Sequence, residues 1–443
     1  MEIVFPAPAE DELRNHLFES EELETCAVLS IAPAMRGGRE RFLVRKVWRP
    51  TDSDYIDRTR YHVILQPAFF VPIVGEAAKE RSGVGFVHSH PFADGLVSFS
   101  HVDDEGELAL AAYLRRRSPD VAGVAAVYGR HVRVARRLGT SSYIEIRSVG
   151  EIVDVSQTAT RLNTELFDRQ VLAFGAAGQE RIARMRVGIV GVGGTGSIVA
   201  EQLAFLGVTD FVLVDRDNLE LSNANRVIGA TADVIGQPKV EVACQAITKI
   251  RPEAVVQKLK NDVLERTATD AVLGCDFLFS CTDSHGSRAL LNQIAYQYLI
   301  PCIDMGVVIA SAQGRISNIT GRVQMLAPGL PCLTCGEILD PEAVRLDFLP
   351  EDVRRKEPYF VGDSVAHQPA VISINGTVAS LAVTMFLGAV AGVPTSARLL
   401  FYDGMLGRVR PATYNTMPEC VVCSGSRGSL SRGDLWPLPS LPA

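Results

Sequence analysis

The sequence predicts an α/β protein built from two domains. The chain has 443 residues, which is too many for one ordinary globular core and suits two domains. Apolar strands alternate with helical stretches, most clearly over residues 186–217, where a strand, a glycine turn, a helix and a second strand follow one another. Hydrophobic residues make up 47% of the chain and charged residues 21%, which excludes a mainly disordered or fibrous protein.

The net charge and the N-terminal sequence exclude several further classes of protein. The net charge of −7 and a pI near 5.7 argue against a broad nucleic-acid-binding face. The acidic N-terminus has no basic region followed by an apolar stretch, so we expect no secretory signal. No uninterrupted apolar run of about 18 residues occurs. We therefore expect no membrane span, no membrane or nucleic-acid partner, and a cytoplasmic location.

The pattern along the chain predicts a first domain at residues 1–150, a second at 151–426 and a flexible tail at 427–443, rich in Ser, Gly and Pro. The elements expected in the first domain are strands within 24–48 and at 61–66, 83–88, 121–129 and 131–138, and helices at 68–80 and 101–116. Those expected in the second are a helical segment at 156–185, alternating strands and helices at 276–281, 285–299 and 301–305, and an excursion without periodicity at 336–369.

Four glycines at the start of the second domain form a G-x-G-G-x-G motif between an apolar strand and a helix: Gly191, Gly193, Gly194 and Gly196. Such a turn brings backbone N–H groups against phosphate oxygens at a helix N-terminus. Asp215 ends the next strand, where a carboxylate accepts hydrogen bonds from ribose hydroxyls. This pattern alone suits an ATP site, a nicotinamide dehydrogenase or a purely structural turn.

Three further segments, at 215–226, 235–243 and 280–292, separate these interpretations. With them, residues 160–425 resemble the ubiquitin-activating and ThiF/MoeB/HesA family of adenylyltransferases. The resemblance implies that Asp215 binds the ATP ribose, supported by Asp217. It implies that the phosphates are bound by Asn223, Arg226 and Lys239, and that Asp283 holds Mg²⁺. It also implies a homodimer in which Arg169 reaches into the ATP site of the partner subunit. The family usually has Gln at the position of Val227 and Asn at that of Ser284, but neither change removes a charge.

Two C-x-x-C pairs, Cys332 with Cys335 and Cys420 with Cys423, have the spacing of a closed, structural zinc site. The alternative is two unrelated pairs of buried thiols, but the resembling family carries the same two pairs. Family members that form thioesters place a cysteine between the pairs, and residues 336–419 contain none. We therefore expect a member that stops at the acyl-adenylate. The other five cysteines are expected to be buried: Cys26, Cys244, Cys275, Cys281 and Cys302.

The first domain carries a second potential metal site, because His88 and His90 alternate at a strand end and point to the same side. Residues 10–140 resemble the JAB/MPN (JAMM) metalloprotease family, with its His-x-His-Pro and Ser-x-x-Asp signature. The resemblance implies zinc ligands His88, His90 and Asp103, an oxyanion contact from Ser100 and a general base at Glu24. Twelve residues separate His90 from Asp103 where the family usually has ten. Alternatives to these assignments are Asp104 and His101 as ligand, and Glu21 and Glu22 as base.

These resemblances together imply an enzyme that uses ATP and Mg²⁺ to adenylate the C-terminal glycine of a ubiquitin-like or sulfur-carrier protein. The fused zinc-dependent (iso)peptidase would mature or remove that modifier, so two zinc sites are expected, one structural and one catalytic. A conjugating enzyme or a sulfurtransferase is an expected further partner. The alternatives are an adenylyltransferase whose first domain only docks substrate, and an NAD-dependent oxidoreductase. Sulfur transfer, conjugation and antiviral defence would use the same residues.

Overall fold

The chain folds into two compact units, each with helices and an eight-stranded sheet, which confirms the predicted α/β class. The computed structural model describes residues 1–93, 95–117, 122–155, 165–354 and 369–441. Unit 1 falls within residues 1–158, 297–299 and 428–437. Unit 2 falls within residues 159–296, 300–427 and 438–443.

Unit 1 contains ten strands and three helices among its described residues. They are β1 (Glu2–Pro6), α1 (Ala7–Leu17), β2 (Cys26–Ala34), β3 (Arg41–Trp48), β4 (Tyr55–Arg58), β5 (Val63–Leu65), α2 (Pro67–Glu80), β6 (Gly83–Ser89), α3 (His101–Arg117), β7 (Gly123–Tyr128), β8 (Arg133–Arg137), β9 (Tyr143–Val149) and β10 (Val153–Val155). The predicted helices at 68–80 and 101–116 correspond closely to α2 and α3. Neither β1 nor α1 was predicted from the sequence.

The main sheet of unit 1 closes on itself like a barrel. Its strand order is β1-β3-β2-β6-β7-β8-β9-β10, and β1 also pairs with β9. The β1 pairings with β3 and β9 are parallel, as is β6 with β7. Closure removes the open edges that a sheet would otherwise expose. The short strands β4 and β5 form a separate two-stranded sheet.

Two apolar clusters fill unit 1. The first lies within the sheet and under α1, where Phe5, Leu13, Phe42 and Tyr128 are fully or almost fully buried. The second lies between the sheet and helices α2 and α3, with Leu114 among its buried members. Together these clusters fix α3 against β6 and β7, and so fix the position of the residues at the start of α3.

Unit 2 contains eight strands and eight helices among its described residues. They are α4 (Asp168–Ala183), β11 (Arg186–Val190), α5 (Gly196–Leu206), β12 (Asp210–Val214), α6 (Lys239–Ile250), β13 (Val255–Leu259), α7 (Arg266–Leu273), β14 (Phe277–Ser280), α8 (His285–Gln297), β15 (Cys302–Ala312), β16 (Arg315–Leu326), α9 (Pro341–Asp347), α10 (Glu351–Arg354), α11 (Ile372–Val390), β17 (Leu399–Asp403) and β18 (Arg408–Pro411).

The sheet of unit 2 is parallel in its first half and antiparallel in its second. Its order is β13-β12-β11-β14-β15-β16-β17-β18, with β13 to β15 parallel. The inner parallel strands are apolar because helices cover them, and Ile189, Phe211 and Phe279 are fully buried. From the central strand β11 the chain runs outward to β12 and β13, and it then returns to continue with β14 on the other side of β11. Parallel sheets bind ligands outside the carboxyl ends of strands at such a point.

Helix α11 is a central part of unit 2. By length and composition alone it is the one described helix that could span a membrane, with a mean hydropathy of 1.5, and half of that stretch is buried. It packs against α5, β15 and β16. Phe386 of α11 meets Phe277 of β14 edge-to-face, with ring centroids 4.9 Å apart. This packing accounts for its apolar sequence.

The segment at 336–369 differs from the sequence-based expectation. Within the excursion at 336–369, α9 begins at a proper cap, where Asp340 accepts hydrogen bonds from two backbone N–H groups of the first turn. Residues 355–368 of that excursion and 156–164 of the helical segment at 156–185 lie outside the described residues. A seven-residue helix has too few turns to show apolar periodicity, which is why the pattern did not predict α9.

The segment expected to be a flexible tail is packed over residues 428–437, which belong to unit 1. Ser431 is 1% exposed. Asp434 accepts hydrogen bonds from the backbone N–H of Met35 at 2.6 Å and from Tyr298 Oη at 2.8 Å. These contacts are polar and distant in sequence, so the Ser-, Gly- and Pro-rich composition gave no sign of them.

Candidate functional site

The glycine loop connects the end of β11 to the start of α5, and Gly191 adopts the left-handed conformation there at φ +85°. The Gly191 N–H donates to Val214 O at 2.8 Å, which ties the loop to β12. A Cβ on Gly196 would lie 1.8 Å from Gly191 O, whereas a Cβ on Gly193 would meet no heavy atom within 4 Å. The loop is therefore tightly closed at the N-terminus of α5, the position at which helices bind phosphate oxygens.

Asp215 and Asp217 follow directly after the carboxyl end of β12. Asp215 accepts hydrogen bonds from the N–H of Val192 at 2.8 Å and from that of Asp217 at 2.9 Å. Burial raises the pKa of Asp215, while nearby Lys239 opposes the rise. Lys239 begins α6, and its Nζ donates to Asp217 Oδ2 at 2.7 Å. The predicted ribose carboxylate, its supporting aspartate and the predicted phosphate lysine therefore lie at one end of the sheet.

Arg226 and Asn223 lie in the turn that follows β12. Asn223 Oδ1 accepts a hydrogen bond from the N–H of Glu220 at 3.0 Å, which closes the turn. Arg226 Nη1 donates to Ser222 O at 2.9 Å. Side-chain carbons of Arg226 lie 3.3 Å from the position that a Cβ on Gly194 would occupy. The structure therefore brings Arg226 to the glycine loop, while Asn223 shapes the turn that carries it.

Asn375, on the first turn of α11, was not predicted as part of this site. It is 5% exposed, and its Nδ2 lies 2.4 Å from the position of a Cβ on Gly194. A side chain at position 194 would therefore force Asn375 to move. Asn375 is far from the glycine loop in the sequence and lies in an apolar helix, so only its polarity within that helix could have drawn attention to it.

Asp283 lies in the loop between β14 and α8, where its side chain is exposed. The next residue, Ser284, donates from Oγ to Asp347 Oδ2 at 2.9 Å, and Asp347 also accepts from the N–H of Gly286 at 2.8 Å. Asp347 ends α9 and was not predicted from the sequence. It anchors the loop that carries Asp283, and Ser284, which replaces the family's usual Asn, takes part in that anchoring.

Val227, the other departure from the family pattern, packs in a small apolar cluster with Leu219, Val234 and Val242. An apolar residue is well accommodated there. Arg169 is exposed near the start of α4. Its predicted role belongs to a partner subunit's site and stays a prediction.

The four cysteines of the two C-x-x-C pairs converge in unit 2. The sulfur–sulfur distances are 3.7 Å for Cys332–Cys335, 3.5 Å for Cys332–Cys420 and 3.4 Å for Cys335–Cys423. All four sulfurs lie within 4.8 Å of one another. Sulfurs bound to one zinc ion at about 2.3 Å lie roughly 3.8 Å apart in a tetrahedron. The cluster therefore fits a closed, four-thiolate zinc site after a small adjustment.

The remaining five cysteines differ in burial. Cys26, Cys275 and Cys302 are fully buried, in line with the expectation for them. Cys244 and Cys281 are only partly buried, so the expectation of burial holds only in part for these two. Burial nevertheless raises the pKa of both thiols, which disfavours the reactive thiolate.

The predicted metal residues of unit 1 also converge. His88 lies near the end of β6 and His90 just beyond it, and their Nε2 atoms are 3.2 Å apart. His88 Nε2 is 3.1 Å from Asp103 Oδ1, and His90 Nε2 is 3.5 Å from Glu24 Oε1. Nitrogen and oxygen ligands of one zinc ion at about 2.0–2.1 Å lie roughly 3.3–3.4 Å apart. The ligand atoms of Glu24, His88 and His90 all lie within 4.8 Å of one another, and Asp103 contacts His88 at the edge of this group. These residues have the chemistry of a zinc site.

The pairing of β2 with β6 places Glu24 at this cluster, because Cys26 lies opposite His88 in the register. Glu24 is 6% exposed, and burial raises its pKa to about 7. The rivals Glu21 and Glu22 are both exposed on the preceding turn. The structure therefore places Glu24 next to the histidines and the other two glutamates at the surface.

Asp103 rather than Asp104 faces His88. Burial alone would raise the pKa of Asp103. The hydrogen bonds with His88 and Ser100 outweigh burial and hold this pKa below its usual range. Ser100 and Asp103 bond each other across the first turn of α3, with Ser100 N–H to Asp103 Oδ2 at 2.6 Å. Asp104 points elsewhere and pairs with Arg136 Nη2 at 2.7 Å. His101 is also at the surface, with its side chain 85% exposed.

Arg136 orients α3 and was not singled out from the sequence. It is 7% exposed on β8 and donates to both Glu107 oxygens as well as to Asp104. Its guanidinium also stacks on the ring of Phe99, 3.8 Å from the ring centroid. These contacts hold both ends of the segment that contains Ser100 and Asp103. With the longer spacing after His90, Asp103 therefore still reaches His88.

Residues 167–422 match the ThiF family. The SAMP-activating enzyme E1 of Haloferax volcanii is 31% identical over 273 residues, which are 61% of this chain and 91% of that protein. The molybdopterin-synthase adenylyltransferase of Escherichia coli is 28% identical over 260 residues, 58% of this chain and 95% of that protein. A crystal structure of E. coli MccB with MccA-N7isoASN has a TM-score of 0.49 and 19% identity, covering 60% of this chain and 75% of that chain.

Proposed function

The chain belongs to the ThiF family, and on that premise we propose that unit 2 adenylates the C-terminal glycine of a ubiquitin-like or sulfur-carrier protein with ATP. The observation that carries the proposal is the convergence of the glycine loop, Asp215, Arg226 and Lys239 at one end of the parallel strands. Three relatives support the substrate class by name: a SAMP-activating enzyme, a molybdopterin-synthase adenylyltransferase and a sulfur carrier protein ThiS adenylyltransferase.

In this reaction the terminal carboxylate of the modifier attacks the α-phosphorus of ATP, and pyrophosphate leaves. Asp215 accepts the ribose hydroxyls and positions the nucleotide, while the glycine loop holds phosphate oxygens with backbone N–H groups. Lys239 and Arg226 neutralise the negative charge that grows on the triphosphate during attack. Lys239 is paired with Asp217 in this structure, so we infer that it exchanges that contact for a phosphate oxygen when ATP binds.

We propose that Asp283 holds Mg²⁺. A carboxylate oxygen is the ligand type that this ion prefers, and bound Mg²⁺ would neutralise phosphate charge. The exposed position of Asp283 in a loop anchored by Asp347 suits a residue that meets a ligand. We also propose that Arg169 enters the ATP site of a partner subunit in a homodimer, because its side chain is exposed at the start of α4.

The absence of cysteine from residues 336–419 supports an enzyme that stops at the acyl-adenylate. Another protein would then supply the sulfur nucleophile or accept the modifier, so we propose a sulfurtransferase or a conjugating enzyme as the next partner. The raised pKa values of the partly buried thiols Cys244 and Cys281 support the same view, since neither is activated.

An ATP–pyrophosphate exchange assay with a purified ubiquitin-like or sulfur-carrier protein tests the adenylation. We expect exchange to fall by about 100-fold or more in Lys239→Ala, because a charge-neutralising contact is lost. The matched control is Lys260→Ala, since Lys260 is exposed at the end of β13. Equal loss in both variants, or full exchange in Lys239→Ala, would contradict the assigned role. NAD binding in place of ATP binding would favour the oxidoreductase instead.

We further propose, as a second activity, that unit 1 is a zinc-dependent peptidase for the same modifier. The contacts among His88, His90, Asp103 and Glu24 support this activity. A bound zinc ion would make a water molecule nucleophilic near neutral pH. Glu24 would take the proton from that water and pass it to the leaving nitrogen. Ser100 lies directly before α3, and its hydroxyl would contact the developing oxyanion.

Metal analysis separates this peptidase from a module that only docks substrate. We expect two zinc ions per chain in the unsubstituted protein and one in His88→Ala, with loss of cleavage of a modifier–peptide fusion. His101→Ala is the control, because His101 is exposed and lies outside the cluster. One zinc per chain in both variants, without cleavage, would support the docking module.

A further inference from the structure

Helix α9 contacts the start of α8 at both of its own ends. At the start of α9, the Asp340 N–H donates to His285 Nδ1 at 3.0 Å. At the end of α9, Asp347 Oδ2 accepts hydrogen bonds from Ser284 Oγ at 2.9 Å and from the Gly286 N–H at 2.8 Å. All of these residues belong to unit 2. Because the proposed Mg²⁺ residue directly precedes Ser284, these contacts fix α9 beside the loop that carries it.

The contacts of Asp347 complete the N-terminal cap of α8. Ser284 lies directly before the helix, and its Oγ accepts a hydrogen bond from the Ser287 N–H at 3.1 Å while its hydroxyl donates to Asp347. Asp347 itself accepts from the N–H of Gly286, the second residue of the helix. The first N–H groups of a helix have no partner within it, and a carboxylate there also interacts favourably with the helix dipole. Ser284 and Asp347 therefore share the cap, which α9 completes from outside.

The loop that carries Asp283 is held on both sides of this residue. On the preceding side, the carbonyl oxygen of Thr282 accepts a hydrogen bond from Arg288 Nε at 3.0 Å. On the following side, Ser284 donates from Oγ to Asp347. The Asp283 side chain is exposed between these two fixed points. Loss of Asp347 would therefore loosen one side of Asp283 and leave the contact of Arg288 in place on the other.

Gly286 shows how closely α9 approaches α8. It lies in the first turn of α8, where alanine would by itself favour the helix. A Cβ on Gly286 would lie 2.5 Å from Asp347 Cβ and 3.3 Å from Asp347 Oδ2. Because a Cβ is fixed to its backbone, α9 would have to move to admit this atom. We therefore expect Gly286→Ala to displace α9 while every polar side chain of the cap is retained.

We propose that Asp347 is a positioning residue for the Mg²⁺ site, because by capping α8 from α9 it holds Asp283 where Mg²⁺ bound to ATP can reach it. The proposal rests on the role of Asp283 in the proposed function. Groups that orient metal ligands typically contribute about 10- to 100-fold to metal affinity. The affinity of the adenylation site for Mg²⁺ thus depends on the position of α9, and displacement of this helix lowers it.

Calorimetric binding of ATP to the 443-residue chain, with excess Mg²⁺ and in Mg²⁺-free buffer and without a carrier protein, tests this role. We expect Asp347→Ala to weaken ATP binding in Mg²⁺ by about tenfold and to leave binding without Mg²⁺ unchanged. Asp347→Asn keeps an acceptor oxygen, so it should restore most of the Mg²⁺-dependent binding. Wild-type binding by Asp347→Ala in Mg²⁺ would overturn the proposal, as would an equal loss with and without Mg²⁺, which a general structural defect would cause.

Two further variants separate the position of α9 from its charge. Glu342→Ala is the matched control, because Glu342 is an acid on the same helix that pairs with Arg345 at the surface. We expect it to bind ATP as the wild type does. Gly286→Ala should reproduce the loss seen in Asp347→Ala, and combining the two should add little, since both remove the same contact. Full additivity of the two, or an equal loss in Glu342→Ala, would contradict the assignment.

Pyrophosphate exchange separates this proposal from the adenylation itself. If no carrier supports exchange but the Mg²⁺-dependent binding pattern holds, the adenylation proposal fails and the assignment of Asp347 stands. If exchange proceeds and Asp347→Ala binds ATP in Mg²⁺ as tightly as the wild type, only the assignment of Asp347 fails. ATP binding by the wild type that does not respond to Mg²⁺ would also overturn this assignment.

Discussion

Replacing Gly196 by alanine tests how tightly the nucleotide-binding loop is closed. A Cβ at this position would lie 1.8 Å from Gly191 O and 2.9 Å from Gly191 C. Gly191 cannot simply move aside, because its N–H bonds Val214 O at 2.8 Å and a Cβ of its own would lie 2.7 Å from Cys281 O. The loop must therefore open by more than an ångström, away from both β12 and the end of β14.

Overpacking of this kind destabilises a protein by about 1–3 kcal/mol. Loss of the Gly191–Val214 hydrogen bond adds about 1 kcal/mol. A total of about 2–4 kcal/mol corresponds to a fall in Tm of roughly 4–16 °C for a domain of this size. Differential scanning calorimetry of the full chain measures the change. We also expect ATP–pyrophosphate exchange to fall at temperatures well below the new Tm, because the loop no longer presents its N–H groups to phosphate.

Gly193→Ala is the control within the same motif. A Cβ on Gly193 meets no heavy atom within 4 Å, so we expect its stability to stay within about 0.5 kcal/mol of the wild type. A wild-type melting temperature for Gly196→Ala would refute the reasoning about loop closure. An equal loss of stability in both variants would show that alanine itself, rather than the contact with Gly191, is responsible.

Three other predictions test different parts of the molecule. Arg136→Met should destabilise unit 1 by about 3–5 kcal/mol, because it leaves the buried carboxylate of Glu107 on α3 unpaired. The neighbouring variant Arg137→Met should have a melting temperature near that of the wild type, since the Arg137 side chain is 49% exposed. Cys420→Ser should lose one zinc ion per chain and lower the Tm of unit 2, measured by metal analysis and calorimetry, whereas Cys244→Ser should keep its zinc. Burial raises the pKa of Asp215 above that of a free aspartate. KM for ATP should therefore rise as the pH falls through that raised pKa, because the carboxylate that accepts hydrogen bonds from the ribose hydroxyls becomes protonated. Asp215→Asn should show a high KM without this pH dependence, and an unchanged pH profile in that variant would exclude the role.

Local sequence patterns predict the elements whose partners lie nearby in the chain. The strand–glycine–helix series of β11 and α5 and the helices α2 and α3 were predicted because apolar periodicity and glycine spacing are local signals. Strand β1 was not, since five residues carry little periodicity and its place depends on pairing Glu2 with Arg41 on one side and Glu145 on the other. Long-range parallel pairing of this kind leaves no short-range trace in the sequence.

The sites show the same division. Residue types and short spacings indicated the histidine pair, the cysteine pairs and the two aspartates that follow β12. The choice between Asp103 and Asp104 required the structure, because Arg136 on β8 binds Asp104 and turns Asp103 toward His88. Asn375 reaches the glycine loop only through the packing of α11. Partners supplied by distant elements could not be read from the motifs themselves.

Formation of an acyl-adenylate on a modifier's terminal glycine is the central claim, and intact-mass spectrometry measures it most directly. The 443-residue chain is incubated with ATP, Mg²⁺ and a purified ubiquitin-like or sulfur-carrier protein from the same genome, and the carrier's mass is recorded. The predicted result is a carrier that gains one AMP, with no gain when its terminal glycine is deleted. AMP addition that persists without that glycine, or no addition to any such carrier, would contradict the proposed function.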